Sequence, residues 1–215
     1  MKNIPKEIVE GFVEACHRVG RNGLARCSTG NLSMRLDNDR MLITASGSWM
    51  ERLTPDDISL CQIADGSLIE GKKPSIEIGF HVGILQSRPD VNVVLHFQST
   101  CATTLTCQAL KPLNFFVISE IPFYIGPVAT ISFFLPGTKE LAQAVTDAMR
   151  DHDLVMMGNH GQTTVACDVD HAIQNAVFFE LACEILLRSG DRLVPLPEPE
   201  VRSLLSARHS KGLGG

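Results

Sequence analysis

Three side chains stand out for the chemistry they could do together: His96 and Gln98, two positions apart, and His160 in the run Asn159-His160-Gly161. The segment from Asp90 to Gln98 reads as a buried strand that ends in two polar residues. In a strand, residues i and i+2 face the same way, so His96 and Gln98 are expected to project side by side. A second apolar run, Leu154 to Met157, delivers His160 just before a glycine. Neutral imidazoles brought from distant parts of a chain are the usual beginnings of a transition-metal site, and a His-x-His pair would make the zinc reading strong. Gln98 departs from that pattern. The competing reading is a pair of buried, hydrogen-bonded histidines.

The elements that must position these groups can be read from periodicity. A first helix is expected from Pro5 to Val19 with Ile8, Phe12, Cys16 and Val19 inward. Alternation at 32–36 and 41–44 suggests two strands joined by Asp37-Asn38-Asp39, and 58–63 a third, turning at Ala64-Asp65-Gly66-Ser67. A helix from Ser75 should carry Ile76, Phe80 and Ile84 inward and stop before Pro89. After the His96 strand, a short helix is expected at 99–107 and strands at 115–118 and 128–134. Thr138 should cap a helix to Asp151. Two strand arms at 155–165 flank Asn159-His160-Gly161, followed by a helix from Asp170 to Ser189 that stops at Gly190. Residues 1–190 are therefore expected to form one domain. Residues 191–215 read as a proline-bearing linker and tail, with a short helix at 201–208 and fraying at 211–215. Strands outnumber strand-helix-strand alternations, which favours a mixed or antiparallel sheet covered by helices.

The 215 residues are 44% hydrophobic and 20% charged, ordinary for one globular domain, with a formal charge of −5. That balance gives no basic footprint for nucleic acid. No apolar run approaches the roughly 18 residues of a membrane helix, and the N-terminus has no apolar signal core. Seven scattered cysteines, without C-x-x-C spacing, suggest free thiols in a reducing cytoplasm.

Six ordered segments resemble the class II aldolase/adducin family over roughly residues 5–190. They are Ser28-Thr29-Gly30-Asn31-Leu32-Ser33, Ile43 to Gly47, Lys73 to Glu77 leading to His81, Arg88 to His96, Pro136 to Leu141, and Asn159-His160-Gly161. The resemblance implies a three-layer αβα sandwich with a mainly antiparallel central sheet. It also implies a homotetramer with sites between subunits. One divalent ion is expected, zinc first and manganese, iron or cobalt as alternatives, held by His96, Gln98, His160 and Glu77. Glu77 would double as acid/base, favoured by the positive end of the helix dipole. Gly30, Asn31, Ser46, Gly47 and Ser75 would hold the substrate phosphate through freed backbone N–H groups and small hydroxyls. Each piece alone is an ordinary turn or cap.

Two departures concern the substrate end. The second phosphate serine of the family is Ile76 here. Its tyrosine proton donors are missing too, since the middle segment is Asn114-Phe115-Phe116 and Tyr124 is the sole tyrosine. Glu120 is the best replacement acid/base, and Arg208 or His209 could reach a neighbour's site. The implied activity is cleavage of a phosphorylated ketose, such as L-fuculose 1-phosphate, to dihydroxyacetone phosphate and an aldehyde. The same ion and cradle would serve 4-epimerisation of a pentulose phosphate, sugar-phosphate dehydration or decarboxylation of a 3-oxo acid phosphate. A non-catalytic adducin-like module is the reading from another class.

Overall fold

A computed structural model describes residues 4–108 and 113–210, so the expected fraying at 211–215 lies outside the described residues. The elements in chain order are α1 (Lys6–Arg21), β1 (Asn31–Arg35), β2 (Arg40–Thr44), β3 (Ile58–Gln62), β4 (Leu68–Gly71), α2 (Ile78–Ser87), β5 (Val93–Phe97), α3 (Thr100–Thr106), β6 (Ala129–Ile131), α4 (Lys139–Ala148), β7 (Leu154–Met157), β8 (Gly161–Ala166), α5 (Val169–Ser189) and α6 (Glu198–Ser210). Eight strands form one sheet in the order β4-β3-β2-β1-β5-β8-β7-β6. Every pairing is antiparallel except β6 with β7.

Two apolar cores lie on opposite faces of this sheet. Period-2 alternation along β5 sends Val93, Leu95 and Phe97 to the core shared with Phe12 and Cys16 of α1 and Phe179 of α5. Val94 goes to the other core, with Phe80 and Ile84 of α2 and Leu141 and Val145 of α4. His96 shares that second face, with its ring edge-on to Phe80 at 5.9 Å between centroids. Helices cover a mainly antiparallel sheet, as the strand-rich pattern favoured, and with helices on both faces they make the three-layer sandwich that the resemblance implied.

Several expectations shift locally. On α1, Val9 rather than Ile8 completes the buried stripe, and Ile8 is exposed. The second helix begins at Ile78 with Glu77 at its N-cap, so Ile76 precedes the helix and is 55% exposed instead of buried. The strand expected at 115–118 does not form. Asn114 Oδ1 accepts the Phe116 N–H and Phe115 C=O accepts the Val117 N–H, closing turns that compete with sheet pairing. Phe115 packs against Phe179 instead. A π-helical turn, Ile121–Ile125, follows and ends at Gly126, whose φ is +79°. The tail helix is longer than its apolar pattern suggested. It is tied down by Arg208, which is buried and ion-paired with Asp153 beside the start of β7.

Candidate metal centre

His96 is the fourth residue of β5, and β8 lies directly alongside it. Its Nδ1–H donates to the Gln162 carbonyl at 2.8 Å, which leaves the lone pair on Nε2. That Nε2 is buried without a hydrogen-bond partner and stands 3.5 Å from Glu77 Oε2. His160 comes from the β7–β8 hairpin. Asn159 takes φ +51°, a left-handed conformation asparagine tolerates, and His160 N–H closes the turn onto Met157 C=O. Gly161 must be glycine for the hairpin to meet β5. A Cβ there would stand 2.6 Å from Phe97 O, 2.7 Å from Gln98 Cγ and 3.1 Å from His96 Cε1.

The result is a compact triad. His160 Nε2 lies 3.3 Å from Glu77 Oε1, and the two imidazole centroids are 4.9 Å apart. The candidate ligand atoms of Glu77, His96 and His160 all fall within 4.8 Å of one another. Burial, with His96 close by, pushes the His160 imidazole down to about 4 against the opposing pull of Glu77, so His160 is neutral at physiological pH.

This arrangement fits a divalent cation better than it fits a self-contained cluster. Ligands on one tetrahedral ion at about 2.0–2.1 Å sit roughly 3.3 Å from each other, close to the two His–Glu separations here. The lone pair of His96 Nε2 faces a carboxylate oxygen, acceptor against acceptor, and Glu77 Oε1 is likewise buried without a partner. Glu77 is only 7% exposed. Burying a carboxylate costs several kcal/mol. One Asn31 N–H at 2.9 Å and the N-terminus of α2 return roughly 2–4 kcal/mol together, and a cation between the three side chains would supply the rest.

The remaining sequence candidates distribute unevenly. Gln98 follows β5, is half-buried, and packs its Cγ beside Gly161, next to the His160 turn. Gly30, at φ +73°, lies against the His96 carbonyl, and a Cβ there would meet that oxygen at 2.7 Å. A bridge between Ala45 and Pro74 holds Ser46-Gly47 beside Ser75, with Ser46 N–H donating to Lys73 O and Ser75 N–H to Thr44 O. Gly30 therefore lies beside His96 and Asn31 beside Glu77, while Ser46 is held against the Lys73–Ser75 segment that leads into Glu77. Glu120 does not join the triad. It stands at the start of the π-helical turn, where its Oε2 accepts from Ser119 Oγ. Arg208 is committed to Asp153 of its own chain.

Two features escaped the sequence reading. His81 is fully buried and bonded to both Ser33 and Asn31. Its signal was present in the spacing: His81 lies one helical turn beyond Glu77, and Asn31 and Ser33 share one face of β1. The Gln162 carbonyl that orients His96 is a backbone group and left no side-chain signature.

The family described as Class II Aldolase and Adducin N-terminal domain matches residues 10–187. The chain is 27% identical over 207 residues to 3-oxo-tetronate 4-phosphate decarboxylase of Haemophilus influenzae, covering 94% of this chain and 95% of that one. It is 30% identical over 215 residues to L-fuculose phosphate aldolase of Escherichia coli K12, covering 96% of each. Among solved structures, YgbL from Klebsiella pneumoniae superposes with a TM-score of 0.86 at 26% identity, over 93% of this chain and 98% of that one. An L-fuculose 1-phosphate aldolase superposes at 0.83 and 25% identity, over 94% and 96%.

Proposed function

The chain belongs to the class II aldolase and adducin family, and from that membership we propose that it is a divalent-metal-dependent lyase that decarboxylates a phosphorylated 3-oxo sugar acid. The observation that carries this reading is the content of the triad: one carboxylate, Glu77, beside two imidazoles turned toward it. Aldol cleavage needs a base to take the proton of the hydroxyl that becomes the aldehyde and an acid to protonate the new carbanion. Loss of carbon dioxide needs one proton delivered to one carbon, which a single carboxyl can manage.

His96 and His160 would hold the ion through Nε2, with Glu77 and the Gln98 amide oxygen completing the set. Zinc suits two imidazoles and a carboxylate, and manganese, iron or cobalt suit an added oxygen donor. When bound, the ion supplies a Lewis acid for the charge that develops on the substrate oxygens as the carbon–carbon bond breaks. Gly30, Asn31, Ser46, Gly47 and Ser75 would hold the phosphate through backbone N–H groups and hydroxyls, so the 3-oxo end points at Glu77. The bond between the carboxylate carbon and its neighbour breaks, and its electron pair passes into the 3-oxo group. Carbon dioxide leaves, and Glu77 takes a proton from solvent water and passes it to the vacated carbon.

Aldol cleavage of a ketose phosphate is the second reading, favoured by the 30% identity to the aldolase. In it Glu120, brought from a neighbouring subunit, would serve as the second acid/base. A homotetramer with shared sites is part of the proposal. Its support is exposed apolar surface: Ile76, next to Glu77 in the chain, and Phe133 and Leu135, which follow β6, are 55%, 51% and 66% exposed. No helix among the described residues is long and apolar enough to cross a membrane. Seven free cysteines suit the cytoplasm.

The test is a paired assay of metal-loaded protein. 3-Oxo-tetronate 4-phosphate should release carbon dioxide, while L-fuculose 1-phosphate should release no aldehyde. Aldehyde release at a comparable rate would move the assignment to the second reading. Failure with both, at full metal loading, would overturn the decarboxylase reading and the L-fuculose 1-phosphate reading alike, leaving sugar-phosphate dehydration, epimerisation or a non-catalytic module.

A further inference from the structure

A chain of buried hydrogen bonds runs from the middle of the sheet to the Glu77 carboxylate. Ser33 Oγ is 2.7 Å from His81 Nδ1, His81 Nε2 is 2.5 Å from Asn31 Oδ1, and Asn31 Nδ2 is 2.9 Å from Glu77 Oε2. Ser33 and His81 are fully buried, and Asn31 and Glu77 are 4% and 7% exposed. Each donor here must therefore meet an acceptor within the protein. Asn31 and Ser33 stand on one face of β1, where they pair across the sheet with His96 and Val94.

For a neutral His81 ring, which its full burial favours, the polarity of this chain has one solution. A carboxylate only accepts, so Asn31 must turn its NH2 to Glu77 and its Oδ1 to His81. His81 must then carry its proton on Nε2 to donate to that oxygen. Its Nδ1 is left with a lone pair, which the Ser33 hydroxyl fills as donor. Reversing any one link would set two acceptors or two donors face to face, at a cost of about 1–3 kcal/mol for each unsatisfied buried group.

We infer that Ser33, His81 and Asn31 form a one-way relay that holds the Glu77 carboxylate in the orientation facing His96 and His160, making His81 a positioning residue for the centre. This rests on the reading of Glu77 as a metal ligand and proton carrier. His81 acts only through Asn31. Remove it, and Asn31 loses the partner that keeps its amide from rotating, so the carboxylate loses its fixed donor. Outer hydrogen-bond partners of metal ligands typically matter by 10–100-fold in metal affinity.

Two measurements test the relay, neither of which needs turnover. Nitrogen-15 spectra of the metal-free protein, labelled at histidine, should show His81 as the Nε2–H tautomer. Titration with Mn²⁺ should show His81→Leu weakened at least about tenfold. His81→Gln, whose amide offers both a donor and an acceptor, should stay within about threefold of the unaltered protein, a rescue that loss of packing alone would not give. An Nδ1–H tautomer overturns the relay, as does a folded His81→Leu protein that holds Mn²⁺ normally. If His81→Leu fails to fold, the tautomer in the unaltered protein decides. If the unaltered protein binds no metal, the reading of Glu77 as ligand falls, and the tautomer still decides the relay.

Discussion

Among the described residues, two groups of side chains could each hold an ion by proximity alone, Glu77–His96–His160 and Cys167–Asp168–His171. They differ in what their atoms already do. Asp168 is the N-cap of α5, where it accepts the His171 N–H at 2.9 Å while the His171 ring Nδ1 sits 2.8 Å from its other oxygen. Cys167 and Asp168 are exposed, so solvent completes whatever the cap leaves over. In the triad, by contrast, Glu77 Oε1 and His96 Nε2 are buried and unpartnered. Closeness of ligating atoms therefore says little. Buried acceptors turned toward one another, with nothing between them, say a good deal, because no folded protein gains by that arrangement unless a cation relieves it.

The contrast can be broken in several places. The largest effect should follow His96→Ala or His160→Ala. Zinc affinity measured by competition with a chelator should fall at least about 100-fold, more than the loss of an outer partner. His171→Ala should leave it within about twofold. Glu77→Gln should come next, lowering kcat by about 10²–10⁴ as expected for loss of an acid/base. Metal affinity should fall at least as far as in His81→Leu, so kcat is read at saturating metal, where the two imidazoles still hold the ion.

A pH dependence separates the regions too. Burial, with His96 close by, pushes His81 down to about 3, and burial likewise drives His160 to about 4, from an ordinary 6.5. Both are neutral in the folded chain and take up protons first in the unfolded one. The stability they confer is complete above pH 6.5 and is lost as pH falls toward 4 and 3. Denaturant melts of the metal-free protein should show that decline, and His81→Gln should flatten part of it. A flat profile would mean these rings are not buried neutral. The smallest effect belongs to the exposed group: Asp168→Ala should cost about 1 kcal/mol by loss of a cap, with no change in metal content.

Much of this was legible in the residues before any coordinates. The alternating strands, the Thr138 cap and the glycine after His160 were readable because each obeys a local rule. The ordered segments around His96 and His160 pointed to the family, and Glu77 fell beside both imidazoles. What was missed depends on tertiary closure. Ile76 looked like the first inward residue of a helix, yet the helix waits for Glu77 as its N-cap. Phe115-Phe116-Val117 has strand composition, but the Asn114 side chain captures its backbone. His81 received no role because its partners lie 48 and 50 positions away, on a strand that only the folded sheet brings near.

The central claim is that the Glu77–His96–His160 triad is a metal site, and anomalous diffraction from crystals grown with Zn²⁺ or Mn²⁺ tests it most directly. The account predicts one peak at about 2.0–2.2 Å from His96 Nε2, His160 Nε2 and a Glu77 oxygen. An ion found instead at Cys167–Asp168–His171, or an empty triad at saturating metal, would contradict it.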